Sequence, residues 1–337
     1  MAARSVWFAQ PRSVELRHEA VADPAKGEVR VQAIASAISH GTEMLVFRGQ
    51  VPVGLALDLP TLRGSFAFPI KYGYASAGRV VEVGAGVHNL SIGDAVFVHH
   101  PHQSTYVVPA ELPIRLPDGL EPSLGVFLAN VETAINVVLD AAPRLGERVA
   151  VFGQGVVGLL ITQLLRRTGV SLIVAVDPLA RRRELAVQVG ADVALAPEDV
   201  AAGNIRALSE EHGVDLAIEA SGNTAALDQA LDAVAFGGTV VVCSWYGTKP
   251  VPLKLGGAFH RGRLRLQSSQ VGTIDAALQP RWTHQRRLQL ACKLLPQLEL
   301  NSLISHRFPV EQAAEAFALV DQHADQTVQV LLIYSHP

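Results

Sequence analysis

The chain has 337 residues, which at roughly 150 residues per domain suggests about two domains. Hydrophobic residues make up 49% and charged residues 18%, a balance too apolar and too weakly charged for a disordered chain. A net charge of -3 offers no global basic field to hold nucleic acid or an anionic membrane. The two cysteines, Cys243 and Cys292, exclude a disulfide scaffold and a four-cysteine zinc lobe. Apolar runs are broken by charge or glycine short of the roughly 20 residues that cross a bilayer. The N-terminal MAARSVWFAQPRSVELRHEA lacks the continuous apolar stretch of a signal peptide. A soluble protein in a reducing, cytoplasmic setting is expected.

No fixed-period repeat or low-complexity tract is present. Residues 1–130 read as short strands: SVELRHEAV, GEVRVQAIAS, SAGRVVEVGAG and DAVFVHH are valine-rich, mostly alternating, and bounded by Pro, Gly and Asp. The segment VPVGLALDLPTLRGSFAFPI (51–70) is apolar but not periodic. It reads as a long loop whose apolar content suggests a hydrophobic substrate pocket or a partner surface. From about residue 146 the pattern changes. RVAVFG, LIVAVD, VDLAIEAS and TVVVCSW are buried-strand runs, and helical stretches such as VVGLLITQLLRRTG and ARRRELAVQVG lie between them. That alternation predicts an α/β unit with a doubly wound parallel sheet covered on both faces. LRLQSSQ (264–270) closes the series as an edge strand. The tail from about 276 turns helical and ends in the strand TVQVLLIY. The expected division is a nucleotide domain of residues 131–275 set between residues 1–130 and 276–337, which form the other domain.

The strongest motif is Gly153-Gln154-Gly155-Val156-Val157-Gly158, after a predicted strand and opening a predicted helix. Gly153 permits the tight turn, Gly155 lets a pyrophosphate approach the backbone, and Gly158 lets helix and strand pack closely. The helix N-terminus offers free N–H groups to the phosphates. Asp177 ends the next strand, where a carboxylate accepts from ribose hydroxyls and repels a 2′-phosphate. NAD is therefore expected over NADP. Arg181, Arg182 and Arg183 could grip such a phosphate, but read first as a solvated helix face. Strand ends in such sheets carry ligand contacts, which brings in Ser221 after VDLAIEA and Ser244-Trp245 after TVVVC. Trp245 and Tyr246 read equally well as substrate-facing or as packing residues.

Several ordered segments carry a resemblance. Ser39-His40-Gly41-Thr42-Glu43, Gly73-Tyr74-Ala75-Ser76-Ala77-Gly78, VVEVGAGVHNLSIGDAVFV, GERVAVFGQGVVG and SHRFPVEQAAEAF together resemble the medium-chain dehydrogenase/reductase superfamily along nearly the whole chain. ISHGTEMLVFRGQVP and YGYASAGRV look nearest to its bacteriochlorophyllide dehydrogenase-like branch. The resemblance implies a Rossmann domain plus a β-rich, GroES-like catalytic domain, and commonly a homodimer formed along the edge strand. It also places Thr133, and Val157 of the glycine motif, beside the nicotinamide.

The departures from the family pattern concern zinc. Where zinc-dependent members carry Cys, His and Glu ligands, this chain has His40, Tyr74 and Ala75. The remaining ligand position falls near Ala129-Asn130, with Glu132 close by. His40 with help from Glu43 or Glu132 falls short of the three or four converging donors that zinc requires, so no zinc is expected. His99, His100 and His102 in FVHHPHQSTYV read as a polar cleft rim or surface loop, or as a substrate contact by one of them. Without a Lewis acid, a hydroxyl or imidazole must handle the proton. Tyr74 or His40 is the candidate donor or acceptor. Thr42 relays by its family position, and Glu43 orients a neighbour. The implied function is a zinc-independent NAD(P)(H)-dependent oxidoreductase acting on a secondary alcohol or carbonyl of a hydrophobic small molecule. Reduction of a C=C bond, as in quinone and enoyl reductases, and a nucleotide-binding protein without turnover remain open.

Overall fold

A computed structural model describes residues 2–52, 54–57, 59–62, 64–201 and 203–335. The chain divides into two compact units: Met1–Ala129 with Leu295–Pro337, and Asn130–Leu294.

The first unit opens with the antiparallel pair β1 (Ala2–Gln10) and β2 (Ser13–Ala20). β3 (Glu28–Ile38), α1 (Thr42–Phe47), β4 (Ser76–Val83), β5 (Ala95–Val98), β6 (Thr105–Pro109) and β7 (Ile114–Arg115) follow. β3 is the organising strand, antiparallel to both β4 and β6. Its valines and small residues are buried, and Gly78 of β4 is required there because any Cβ would overlap the Gln32 carbonyl. The core above the sheet centres on Phe8, Phe47 and Phe317, with ring centroids 5.0–5.4 Å apart. The 51–70 segment turns part of its apolar residues into this same core: Val51, Leu62, Phe66 and Ile70 are buried in it, while Leu55 is 45% exposed. Val53, Asp58 and Arg63 lie outside the described residues.

The second unit begins in α2 (Leu128–Ala141) and then alternates. Its elements are β8 (Arg148–Phe152), α3 (Val156–Leu165), β9 (Leu172–Val176), α4 (Ala180–Gln188), β10 (Val193–Leu195), α5 (Pro197–Ala201), α6 (Asn204–Leu208), β11 (Val214–Glu219), α7 (Thr224–Ala233), β12 (Val234–Val242), β13 (Arg265–Ser268) and α8 (His284–Leu294). The sheet order is β10-β9-β8-β11-β12-β13, with every pair parallel. The order reverses between β8 and β11, the switch point at which doubly wound sheets hold ligands. Residues 149–152, 173–175 and 216–218 are almost wholly buried, as strands covered on both faces must be.

α8 belongs to this unit, which moves the expected boundary from 276 to Leu295. The reason is Arg287, buried on α8, which donates to Asn136 Oδ1 at 2.5 Å and pairs with Glu132 of α2 at 3.0 Å. The helical run Pro122–Ala141 is, contrary to expectation, long and apolar enough to cross a membrane by length and composition. Some 61% of it is buried within the protein, and it carries the Glu132 ion pair. The tail supplies β14 (Ile304–Pro309), α9 (Ala313–Gln322) and β15 (Gln329–Ile333). β15 lies between β14, parallel, and β3, antiparallel.

Candidate active site

The first unit gathers the expected proton-handling residues where β3 ends and α1 begins. Ser39, His40 and Gly41 form that turn, and Thr42 and Glu43 open the helix. Tyr74 comes from the chain just before β4. Its hydroxyl donates to Ser39 Oγ at 2.7 Å and also bonds with the Thr42 side chain. Burial pushes the Tyr74 phenol up to about 12. The Glu43 charge adds to that, and the hydrogen bonds with Ser39 and Thr42 offset part of it. Tyr74, His40 and Thr42 are each half-buried.

Glu43 stands behind them and is fully buried. Its Oε2 accepts from the Ser39 backbone N–H at 2.9 Å, and its Oε1 lies 2.5 Å from His102 Nε2. His102 is also fully buried, and its Nδ1 lies 2.6 Å from Ser36 Oγ, which in turn lies 2.7 Å from Tyr334 Oη. One proton arrangement satisfies every atom: Tyr334 donates to Ser36, Ser36 to His102 Nδ1, and His102 Nε2–H to the Glu43 carboxylate. Gly73 makes room for the imidazole; it sits at φ +120, and a Cβ there would come within 2.8 Å of the His102 ring.

Glu43 is thus enclosed, its carboxylate committed to Ser39 and His102. The reading of 99–102 as a rim or surface loop is corrected for His100 and His102, which are buried, while His99 is half-buried. His100 stacks flat on Tyr106 at 3.6 Å, and its Nδ1 bonds the Pro101 carbonyl at 2.9 Å. Ser36, His102 and Glu43 have the connectivity of a hydrolase triad. Ser36 is wholly buried, however, and its oxygen is shared with Tyr334, so no nucleophile is presented.

The second unit places the glycine motif as its sequence implies. Gly153 lies at φ +94, and its N–H bonds the Val176 carbonyl at 2.7 Å. A Cβ on Gly153 would lie 2.6 Å from the Ser221 backbone, and one on Gly158 would overlap the Gly153 carbonyl oxygen. Gly155, the N-cap of α3, has nothing within 4 Å of its would-be Cβ, so open space faces the bare helix N-terminus. Val157 follows in the first turn, half-buried.

Asp177, just after β9, is buried. Its Oδ2 accepts from Gln154 N at 2.8 Å and its Oδ1 from Leu179 N at 2.9 Å. The glycine turn and the acidic residue thus form one hydrogen-bonded object. Arg182 is not simply solvated: its guanidinium lies 3.9 Å from Asp177 Oδ2. Arg183 folds back to donate to the carbonyls of Asp177 and Pro178 at 2.8 and 2.9 Å. Of this triplet only Arg181 remains on an exposed face.

Ser221 and Ser244 meet after β11 and β12, where Gly222 N–H bonds Ser244 Oγ at 2.9 Å. Trp245 is exposed beside them, while Tyr246 turns in to donate to Glu219 Oε2 at 2.8 Å. Thr133 sits half-buried on α2. Buried Glu219 escaped the sequence reading, although an acid closing the apolar run LAIE was a visible signal.

Comparison with known proteins agrees with this architecture. Residues 25–111 match the alcohol dehydrogenase GroES-like domain, and residues 156–284 match the zinc-binding dehydrogenase domain. A D-guloside 3-dehydrogenase of Escherichia coli K12 is 29% identical over 323 residues, covering 90% of this chain and 92% of its own. A short chain alcohol dehydrogenase from E. coli CFT073, solved with NADH, shares the fold at TM-score 0.79, with 20% identity over 98% of this chain and 99% of its own. A Sinorhizobium meliloti 1021 structure bound to NADP does so at TM-score 0.80, with 22% identity over 99% of each chain. The two domain matches and these relatives support the medium-chain dehydrogenase/reductase superfamily. The fold of the chain is a parallel Rossmann-like sheet with a GroES-like domain.

The donor set does not fit the zinc that one of these family names implies. Both Glu43 oxygens are taken by Ser39 N and His102, and Glu132 is paired with Arg287. Tyr74 and Ala75, a phenol and a methyl, offer no ligand at the two positions the family resemblance assigns to His and Glu. Among the described residues no group of three or more His, Cys, Asp or Glu side chains could hold a metal ion. The second unit does fit a dinucleotide, because Gly155 leaves the helix N-terminus open and Asp177 is held beside the turn.

Proposed function

We propose that the chain is a zinc-independent, nicotinamide-dependent oxidoreductase that interconverts a secondary alcohol and its carbonyl. The observation carrying this reading is the Gly153–Gly158 turn at the switch point of the parallel sheet, tied to Asp177 through Gln154 N at 2.8 Å. When bound there, the nicotinamide supplies or accepts the hydride. Gly155 and the first turn of α3 would hold the pyrophosphate. Asp177, with lone pairs left on both oxygens, would accept from the adenosine ribose. Thr133, Val157, Ser221, Ser244 and Trp245 complete the proposed cofactor contacts. NAD is preferred over NADP, because Asp177 is a carboxylate that would repel a 2′-phosphate on that ribose and Arg183 is committed to backbone carbonyls.

Tyr74 is the proposed proton donor in carbonyl reduction, with Thr42 and Ser39 orienting its hydroxyl. The phenol, held neutral by burial, gives its proton to the substrate oxygen as the hydride arrives at carbon, and takes one back in alcohol oxidation. His40 in the same turn is the second candidate for that role. The hydrophobic-substrate reading rests on the 51–70 segment, of whose apolar residues Val51, Leu62, Phe66 and Ile70 are in the core and Leu55 is exposed. The relative that oxidises a guloside points instead to a polyhydroxylated substrate. A homodimer through the edge of β13 is part of the proposal, since among the described residues β13 pairs with β12 alone. So is a reducing, cytoplasmic setting, supported by the unpaired Cys243 and Cys292.

The test is purified protein with NAD+ and a panel of secondary alcohols that includes a guloside, L-threonine and (R,R)-butanediol. The expected result is NADH formation with at least one alcohol, in metal-free buffer and undiminished by a chelator. Loss of activity to the chelator with recovery on added zinc would overturn the zinc-independent reading.

A further inference from the structure

Glu219 ends β11 inside the second unit with no exposed surface. Its Oε1 gathers three donors: Ser221 N at 2.6 Å, Ser221 Oγ at 2.6 Å and Gly222 N at 2.9 Å. Its Oε2 takes the Tyr246 hydroxyl at 2.8 Å, and its backbone carbonyl takes Cys243 N at 3.0 Å. A buried carboxylate is costly unless donors replace its water, and here four side-chain and backbone donors do so. One residue thus binds the loop after β11 to the loop after β12.

The arrangement reaches further. Ser221, seated by Glu219, is the residue whose backbone closes over Gly153. Gly222 N–H is shared between Glu219 and Ser244 Oγ, and Ser221 Oγ also accepts from Asn223 N at 3.0 Å. In a doubly wound sheet the β8–β10 half serves one mononucleotide and the β11–β13 half the other. Asp177 marks the first half as the adenosine side, so the loops tied by Glu219 serve the nicotinamide side.

We propose that Glu219 is a positioning residue for the nicotinamide half of the cofactor, its carboxylate fixing the spacing between the loops after β11 and β12. This rests on the dinucleotide reading above. It assigns Glu219 no contact with the cofactor; it acts through Ser221, Gly222 and Tyr246. Charge is not the operative property. An acceptor at Oε1 and a partner for Tyr246 suffice, so glutamine preserves the function and alanine does not.

The experiment measures dissociation constants of NADH and of 5′-AMP, the fragment confined to the adenosine half, for wild type, Glu219→Ala, Glu219→Gln and Tyr246→Phe. If the wild type prefers NADPH, that probe replaces NADH. Loss of several hydrogen bonds to a charged group predicts NADH binding at least about tenfold weaker in Glu219→Ala. Glu219→Gln should stay within about threefold of wild type, and AMP affinity should change less than about twofold in all variants. Should Glu219→Ala fail to fold, Tyr246→Phe, which removes one hydroxyl from a half-buried ring, carries the test with an expected loss of about three- to tenfold for NADH alone. Equal loss of NADH and AMP affinity, unchanged NADH affinity, or failure of glutamine to restore it would each overturn the proposal. Wild-type protein that binds neither NADH nor NADPH would instead overturn the dinucleotide reading beneath it.

Discussion

Glu43 and His102 meet 2.5 Å apart with both side chains wholly buried, 59 residues apart in sequence. The pair supports Ser39 on one side, through its backbone N–H, and reaches Ser36 and Tyr334 on the other. Removing the imidazole leaves the buried Glu43 carboxylate without its donor, typically at about 3 kcal/mol. His102→Leu is therefore expected to lower unfolding free energy by about that much in urea titration. The double variant Glu43→Met/His102→Leu should cost less than His102→Leu alone. A single variant within about 1 kcal/mol of wild type would show that the pair is not the structural centre inferred here.

Tyr74→Phe removes the proposed proton donor and keeps the ring. Loss of a general acid costs about 10²- to 10⁴-fold in turnover, while the NADH dissociation constant should not move. Tyr74 titrates higher in the folded chain, about 12, than its ordinary value of 10.0. Its contribution to stability is thus complete below pH 10 and is lost as pH rises toward about 12. Wild type should accordingly lose more stability than Tyr74→Phe across that alkaline window. Equal turnover in the two proteins would remove Tyr74 from the chemistry.

The glycine motif separates packing from binding at neighbouring positions. Gly158→Ala drives a Cβ into the Gly153 carbonyl, whereas Gly155→Ala meets nothing within 4 Å. Gly158→Ala should lower the melting temperature sharply. Gly155→Ala should melt like wild type yet bind NADH at least about tenfold more weakly, because its methyl occupies the space left for a pyrophosphate. Tight NADH binding by Gly155→Ala would place the phosphates elsewhere.

Acid should weaken the first unit through His100. Burial holds its imidazole down at about 3, while the unfolded chain protonates near the ordinary value of 6.5. The folded value being the lower one, this contribution is present above pH 6.5 and is lost as pH falls toward about 3. The slope owed to this one group is about 1.4 kcal/mol per pH unit. His100→Phe keeps a ring against Tyr106 and should flatten the acid limb by that amount in unfolding titrations. Identical acid limbs would show that the ring is not held neutral.

The alternating strands and helices of 148–268, the tight turn at Gly153, the close packing at Gly158 and the place of Asp177 after its strand were legible because each constraint is local. A turn, a helix start and a strand end fall within 25 residues of one another. The first unit was legible as β-rich for the same reason, through its alternating valines. What the sequence hid were partners distant in the chain. His102 read as a rim residue because Glu43 lies 59 positions away, and Ser36 drew no notice because Tyr334 lies 298 away. The 51–70 segment is a different case. Apolar residues without a period say that something is buried, not whether core or ligand buries it. Arg182 and Arg183 read as solvent-facing from the charge run, but the Asp177 carboxylate and nearby carbonyls draw both inward.

The placement of β15 between β14 and β3 bears on the order in which the protein can take shape during synthesis. The nucleotide unit is one uninterrupted stretch and is complete once Leu294 has left the ribosome. The other unit waits with an open seam beside β3, and with Ser36 lacking its tyrosine, until residue 334 emerges. A stop codon or tag placed just ahead of Tyr334 would therefore be felt at the turn that carries Ser39 and His40, on the opposite end of the gene.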